Sequence, residues 1–258
     1  MLLSKETCDH ITEWLKSYAL KSGMKGFVVG VSGGIDSALT STLCALTGLP
    51  THCVNMPILQ EQNQVDRSDE QIKWLKSTFP SVSSNTVDLS DSFLSLKSDL
   101  PQEIQDDLSM ANARARLRMT CLYSFAGNLK YLVAGTGNKI EDFGIGFFTK
   151  YGDGGVDLSP IADLLKTEVY ALAKHLGVPQ SIQNAAPTDG LWGDERNDED
   201  QIGASYPELE WAMHFSGDMN AVTERQKEVW AIYTRLNKAN QHKMHPIPVC
   251  VIPSELKI

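Results

Sequence analysis

The chain has 258 residues, 42% hydrophobic and 21% charged, the composition of a globular protein with one sizeable core. Its 32 acidic and 23 basic residues leave a formal net charge of −9, which excludes a non-specific nucleic-acid or anionic-membrane binder, because both partners require a positive field. No apolar run approaches the roughly 20 residues of a membrane helix and the N-terminus shows no hydrophobic leader, so a cytoplasmic location is expected. The cysteines (Cys8, Cys44, Cys53, Cys121, Cys250) are scattered without a C-x-x-C pair, and the histidines lack metal-site spacing, which predicts buried reduced thiols and no zinc.

Within residues 5–22, Ile11, Trp14, Leu15, Tyr18 and Ala19 recur at helical spacing, and Gly23 follows as a stop. Residues 26–31 (GFVVGV) form a short apolar run of the kind found in strands covered on both faces. Residues 37–47 read as a helix closed by Gly48, with Pro50 beyond. The alternation continues with a strand over 52–56, a helix over 66–79 with Ile72 and Leu75 inward, and a strand over 85–89. Residues 101–125 read as one long helix, with Pro101 at its start, acidic residues early, arginines late and Gly127 after it.

A strand over 130–135 follows, and then a stretch to residue 160 punctuated by Gly135, Gly137, Gly144, Gly146, Gly152, Gly154 and Gly155, too irregular for scaffold. A helix over 164–176 ends at Gly177 and Pro179. Residues 187–200 have the polar, acidic, turn-rich composition of a mobile surface loop, expected to be partly disordered without ligand. Amphipathic helices near 208–215 and 222–240 precede a proline-broken tail. The pattern predicts an α/β fold, a doubly wound, mainly parallel sheet of about five strands flanked by helices, in one domain spanning 1–258.

The first strand-to-helix turn holds Gly30, Val31, Ser32, Gly33, Gly34, Ile35, Asp36 and Ser37. A glycine pair there lets backbone N–H groups converge at a helix N-terminus, where the dipole favours an anion, and the two serines add hydroxyl donors. This is a phosphate cradle without the lysine of a Walker A loop. The same residues match the G-x-S-x-G nucleophile elbow, with His242 as nominal triad base. That reading fails on position, because Ser32 follows the first strand, with little more than one helix upstream to supply an oxyanion loop.

The S-G-G-x-D-S pattern resembles the pyrophosphate loop of the N-type ATP pyrophosphatases, which cleave ATP between its α and β phosphates to form an adenylate. Further motifs resemble the ammonia-dependent NAD+ synthetase family: residues 112–119 (NARARLRM), Gly135-Thr136 with Glu141, residues 146–155 (GFFTKYGDGG), Asp157 and Pro160, Lys166, residues 186–188 (APT), Glu199-Asp200, and His242-Lys243. The resemblance implies an adenine nucleotide alpha hydrolase-like fold and ATP-dependent amidation of deamido-NAD+ by ammonia, through an acyl-adenylate, with release of AMP and pyrophosphate. It implies that residues 30–37, Thr136, Lys166 and Thr188 bind ATP. It also implies that Arg116, Lys150, Asp157, His242 and Lys243 bind deamido-NAD+, and that Asp36, Lys166 and Asp157 serve catalysis.

Two carboxylates, Asp36 and Glu141, beside one polyphosphate require an intervening cation, so Mg2+ held by that pair is expected. The resemblance further implies a homodimer and leaves no glutaminase domain in the chain. Gly137-Asn138 departs from the Asp-His pair common after Gly-Thr in the family, which leaves the role of those positions open. Another N-type ATP pyrophosphatase, GMP synthetase-like or tRNA-modifying, and a non-catalytic adenine-nucleotide-binding module stand as alternatives. An acidic chain without paired cysteines disfavours the tRNA-modifying form.

Overall fold

The computed structural model describes residues 3–187 and 197–257. Its first helix, α1 (Ser4–Lys21), buries Cys8, Ile11, Leu15 and Ala19, one stripe at helical spacing. Four parallel strands follow: β1 (Phe27–Gly30), β2 (Thr51–Asn55), β3 (Val82–Thr86) and β4 (Leu132–Val133), in spatial order β3-β2-β1-β4. Phe27 pairs with Thr51 on one side and Leu132 on the other, so β1 is central. About five strands are expected and four form; beyond β4 the sheet continues only as a single parallel bridge between Ala134 and Leu158.

Side chains of β1 alternate between two cores. Phe27 and Val29 pack against α1 and α2 (Ile35–Leu46), whereas Val28 faces α5 (Asp107–Leu129) with Val54 and Val133. Helix α3 (Gln62–Thr78) joins the α2 side through Ile72 and Leu75, which meet Cys53 and Val82. Burial on both faces is why β1 reads as a continuous apolar run.

The span 101–125 was expected to be a single helix and is not one. Helix α4 (Ser90–Asp99) comes first, and Pro101, with extended backbone at ψ 139°, separates it from α5. The true start of α5 is capped by Asp106, whose carboxylate accepts from the Ser109 backbone N–H at 3.0 Å and the Ser109 hydroxyl at 2.6 Å. Helix α5 also runs through Gly127 and stops at Lys130, which takes the left-handed conformation at φ 59°.

Beyond β4, residues Lys139–Ile145 form a π-helical turn. Helices α6 (Lys166–His175) and α7 (Gln180–Gln183) close the α1–α2 core. Helices α8 (Asp198–Ile202), α9 (Tyr206–His214) and α10 (Glu224–Met244) build a separate core with Ile140 and Ile145 of the π turn. Among the described residues no helix is long and apolar enough to cross a membrane. Cys8, Cys44 and Cys53 are buried thiols as expected, but Cys121 is only partly covered and Cys250 is exposed.

Candidate active site

The chain leaves β1 for β2 and β3, then returns through α4 and α5 to place β4 on the other side of β1. Open α/β sheets bind ligands at such a reversal, beyond the carboxyl ends of the strands. The main cavity lies there, lined by residues 30–37 after β1, by Ala134, Gly135, Thr136 and Glu141 after β4, and by Lys166, Pro187 and Asp198.

The loop after β1 is tied into a tight cradle. Ser37 Oγ accepts from the Ser32 backbone N–H at 3.1 Å and donates to the Gly34 carbonyl at 3.0 Å, and the two serine hydroxyls are 3.1 Å apart. Gly33 has φ +84°, and a Cβ there would stand 2.7 Å from the Gln64 carbonyl oxygen, so conformation and space both demand glycine. The loop delivers Asp36 into the first turn of α2, where the unpaired amides of the helix N-terminus face the cavity.

Asp36, Glu141 and Lys166 meet. Lys166 Nζ donates to Asp36 Oδ2 at 2.5 Å and to Glu141 Oε1 at 3.0 Å, and the lysine side chain is 3% exposed against 17% and 15% for its partners. The intervening cation between the two carboxylates is therefore, in this arrangement, a lysine. Lys166 is the first residue of α6. That end is pinned by Glu210, which accepts from the Thr167 backbone N–H and hydroxyl, each at 2.9 Å.

Burial by itself pushes the Asp36 carboxyl up, and the Glu141 charge adds to this; the Lys166 ammonium pulls against both, and the carboxyl stays above the usual range. Burial would also raise Glu141, but Lys166 and the Tyr206 hydroxyl outweigh it and hold that carboxyl below the usual range. Burial lowers the Lys166 pKa, yet the two carboxylates more than compensate, and the ammonium is held charged.

Asn138 explains the departure noted in the sequence. It is fully buried; its Oδ1 accepts from the Ile140 and Glu141 backbone N–H groups, each at 3.1 Å, and its Nδ2 donates to Asp36 Oδ1 at 3.1 Å. One amide caps the π turn and orients both site carboxylates. Gly137 has an equally local cause, since a Cβ there would lie 1.9 Å from Asp142 Oδ2. The Asp142 carboxyl occupies the space a side chain at 137 would need. Its pKa is well above the usual range, because it is desolvated and faces Glu141, Asp153 and Asp36, with Lys243 opposing.

A second group of expected residues assembles beside this centre. Arg116 Nε donates to the Lys150 carbonyl at 3.3 Å, Lys150 Nζ donates to the His242 carbonyl at 2.7 Å, and Lys243 Nζ donates to the Phe148 carbonyl at 2.7 Å. The arginines of α5 diverge as their two-residue spacing requires: Arg114 covers the Phe93 ring at 4.7 Å, while Arg118 donates to the Met56 carbonyl at 3.0 Å and to Gln60 Oε1 at 2.8 Å. The glycines around Lys150 serve packing as much as ligand approach. A Cβ on Gly152 would meet that of Ala115 at 2.8 Å, and one on Gly154 the Phe148 ring at 2.4 Å.

Asp157 does not join either group. Its carboxylate accepts from the Val133 backbone N–H at 2.8 Å and from the Tyr123 hydroxyl at 3.0 Å, and it is not among the residues lining the main cavity. Thr188 and most of the loop expected over 187–200 lie outside the described residues, and within that span residues 198–200 are helical in α8. The Asp198 backbone N–H donates to the Pro187 carbonyl at 3.0 Å.

Sequence reasoning missed Asn138 as a cap and Tyr206 altogether. Tyr206 donates to Glu141 Oε1 at 2.6 Å, and its ring lies under Lys166 Nζ at 4.8 Å. The available signal was the Ser205-x-x-Glu208 capping box, which places Tyr206 at a helix start.

A phosphate cradle at the head of a central parallel strand, with paired carboxylates and a buried lysine at the sheet's reversal, defines a nucleotide-binding α/β enzyme. The NAD synthase family model matches residues 7–246. The chain is 38% identical to the NH(3)-dependent NAD(+) synthetase of Mesoplasma florum, over 98% of each chain. Its fold superposes on the structure of NMN synthetase from Francisella tularensis with a TM-score of 0.86 and 30% identity, covering 98% of this chain and 100% of that one. NH3-dependent NAD synthetase from Campylobacter jejuni has the same fold, with a TM-score of 0.79 at 22% identity, covering 97% and 100%. The chain belongs to the NAD synthase family, and is a ligase of that family.

Proposed function

We propose that this chain catalyses the ATP-dependent amidation of deamido-NAD+ by ammonia. The observation that carries the assignment of roles is the convergence of the 30–37 cradle, Asp36, Glu141 and Lys166 on one cavity. The nicotinate carboxylate attacks the α-phosphorus of ATP and expels pyrophosphate. Ammonia then attacks the acyl carbon of the adenylate and displaces AMP, leaving the amide of NAD+ and releasing a proton. No covalent bond to the protein forms, so Ser32 acts as a phosphate ligand.

The residues do this by position and charge. Amides and hydroxyls of residues 30–37 bind the β and γ phosphates, with Thr136 and Thr188 as further ATP contacts. Lys166, already charged and buried, reaches the phosphate undergoing attack. Arg116, His242 and Lys243 hold deamido-NAD+, with Lys150 toward its nicotinate half, while Asp157, bonded to the Val133 N–H and the Tyr123 hydroxyl, supports the strand beside the site.

Asp36 and Glu141 supply hard oxygen donors on one wall of the cavity, a set that suits Mg2+ completed by phosphate and water oxygens. When bound, Mg2+ would neutralise charge on the phosphates and the leaving pyrophosphate. A homodimer, a single domain over 1–258 and a cytoplasmic location complete the reading.

A second reading rests on the 0.86 TM-score with an NMN synthetase. The same chemistry on the nicotinate mononucleotide would yield NMN. Incubation with ATP, Mg2+, ammonium and either deamido-NAD+ or nicotinate mononucleotide, followed by chromatography, decides between them. NAD+ with equimolar AMP and pyrophosphate is expected. NMN as the preferred product would select the second reading, and ADP with inorganic phosphate would refute both.

A further inference from the structure

Tyr206 opens α9, directly after the α8 segment, and is 4% exposed. It is fixed at both ends. Its backbone N–H donates to Glu199 Oε1 at 2.8 Å, and the preceding Ser205 N–H donates to Glu208 at 2.8 Å. Its phenol donates to Glu141 Oε1 at 2.6 Å and lies 3.4 Å from Asp198 Oδ2. The ring centroid is 4.8 Å from Lys166 Nζ. A single side chain thus touches both Glu141 and Lys166, two of the charged residues that the fold brings to the cavity from beyond β4.

Glu141 Oε1 has two donors, Lys166 and Tyr206. If the ammonium turns from the carboxylates toward phosphate, the phenol remains as the donor that holds Oε1 of Glu141 in place. The π face meanwhile offers the ammonium an attractive surface that does not compete with phosphate for its N–H groups. We propose that Tyr206 is a positioning residue of the adenylation step: its hydroxyl fixes Glu141 for the metal–ATP complex, and its ring retains Lys166 at the site. This assignment rests on the function proposed above.

Two substitutions separate the two contacts. Tyr206→Phe keeps the ring and deletes the hydroxyl. The Mg2+ concentration giving half-maximal rate should rise about tenfold, the loss of one hydrogen bond to a charged group, with KM for deamido-NAD+ unchanged. Tyr206→Leu removes the ring as well and should lower kcat by roughly a further tenfold. A readout free of catalysis is the ATP-dependent rise in unfolding temperature measured across a Mg2+ series without deamido-NAD+. Its midpoint should shift by the same factor in Tyr206→Phe.

Adding Tyr206→Phe to Glu141→Gln should produce no further shift if the hydroxyl acts through Glu141. An additive shift, a wild-type Mg2+ midpoint in Tyr206→Phe, or a loss that merely tracks a lowered unfolding temperature overturns the proposal. Because the protection measurement uses no dinucleotide, a wild-type protein that makes no NAD+ would sink the functional reading and leave this test standing.

Discussion

Lys166→Met removes one ammonium and leaves the shape of the pocket nearly unchanged. In the native protein that ammonium is 2.5 Å from Asp36 and 3.0 Å from Glu141, in a site where all three side chains are largely covered. Without it, two desolvated carboxylates face each other. Breaking a buried ion pair by deleting one partner costs about 3–5 kcal/mol. For a chain of this size that is a fall in unfolding temperature on the order of 10 °C.

The sign of the pH dependence follows from the same geometry. With Lys166 gone, both carboxyls are pushed above their unfolded values, so the folded variant takes up protons more readily than the unfolded chain. Its deficit therefore grows as pH rises from about 5 to 8 and shrinks on acidification. Urea unfolding of both proteins across that range measures it directly. Pyrophosphate release should fall by about 10²–10³ at every pH, because the charge that stabilises the attacked phosphate is absent. A deficit under about 1 kcal/mol, or one independent of pH, would show that the three groups are not electrostatically coupled and would refute the reasoning.

Asn138→Ala deletes the cap of the π turn and the bond to Asp36, and should cost about 2–3 kcal/mol in urea unfolding together with a raised KM for ATP. Gly137→Ala forces the Asp142 carboxyl out of its place and should lower activity, while Gly137→Ala with Asp142→Ala should recover stability, read as a coupling energy in a double-mutant cycle. Glu208 is held down to about 2 by Arg225, whose guanidinium donates to both of its oxygens, with the Ser205 backbone N–H assisting. Its contribution is present above the ordinary glutamate value and is lost as pH falls from about 4.5 toward 2. At this partly exposed position Glu208→Gln should remove only about half a kcal/mol, visible as a flatter acid limb in thermal unfolding.

Much of the scaffold was legible because it obeys local rules. The apolar run before Gly30 had to be a doubly covered strand, and the glycine-serine turn after it had to expose amides at a helix start. Chain reversals set by tertiary contacts were less legible. Trp14 and Tyr18 fit the helical stripe of α1, yet they are 41% and 40% exposed and stack on each other, because the core is satisfied by the smaller Leu15 and Ala19 beside them. Strand β3 lies three residues earlier than its apolar residues suggested. It is an edge strand whose Ser83 and Asn85 need no second cover, and Val87 and Leu89 continue its hydrogen bonding to Asn55 and Pro57 as a looser extension.

At the site, the paired carboxylates were readable from their positions after β1 and β4, and the need for a cation between them from Coulomb repulsion alone. That Lys166 meets that need required knowing that α6 begins at the mouth of the sheet. The sites of Tyr206 and Asn138 were hidden for a related reason. Each does its work through residues distant in sequence: Asn138 reaches Asp36 across 102 positions and Tyr206 reaches Glu141 across 65.

The π turn at Lys139–Ile145 carries a consequence for how this segment tolerates change in length. A π turn accommodates one residue more than the α-helical turn it replaces, with poorer hydrogen bonding. Deleting one residue between 141 and 145 would let the backbone relax into an ordinary helix. Each residue of such a helix rotates the face by about 100°, so Glu141 or Ile145 would have to abandon its side of the turn. The segment is thus locked in number as well as in chemistry. A single deletion would separate the site carboxylate from the hydrophobic core that now steadies it.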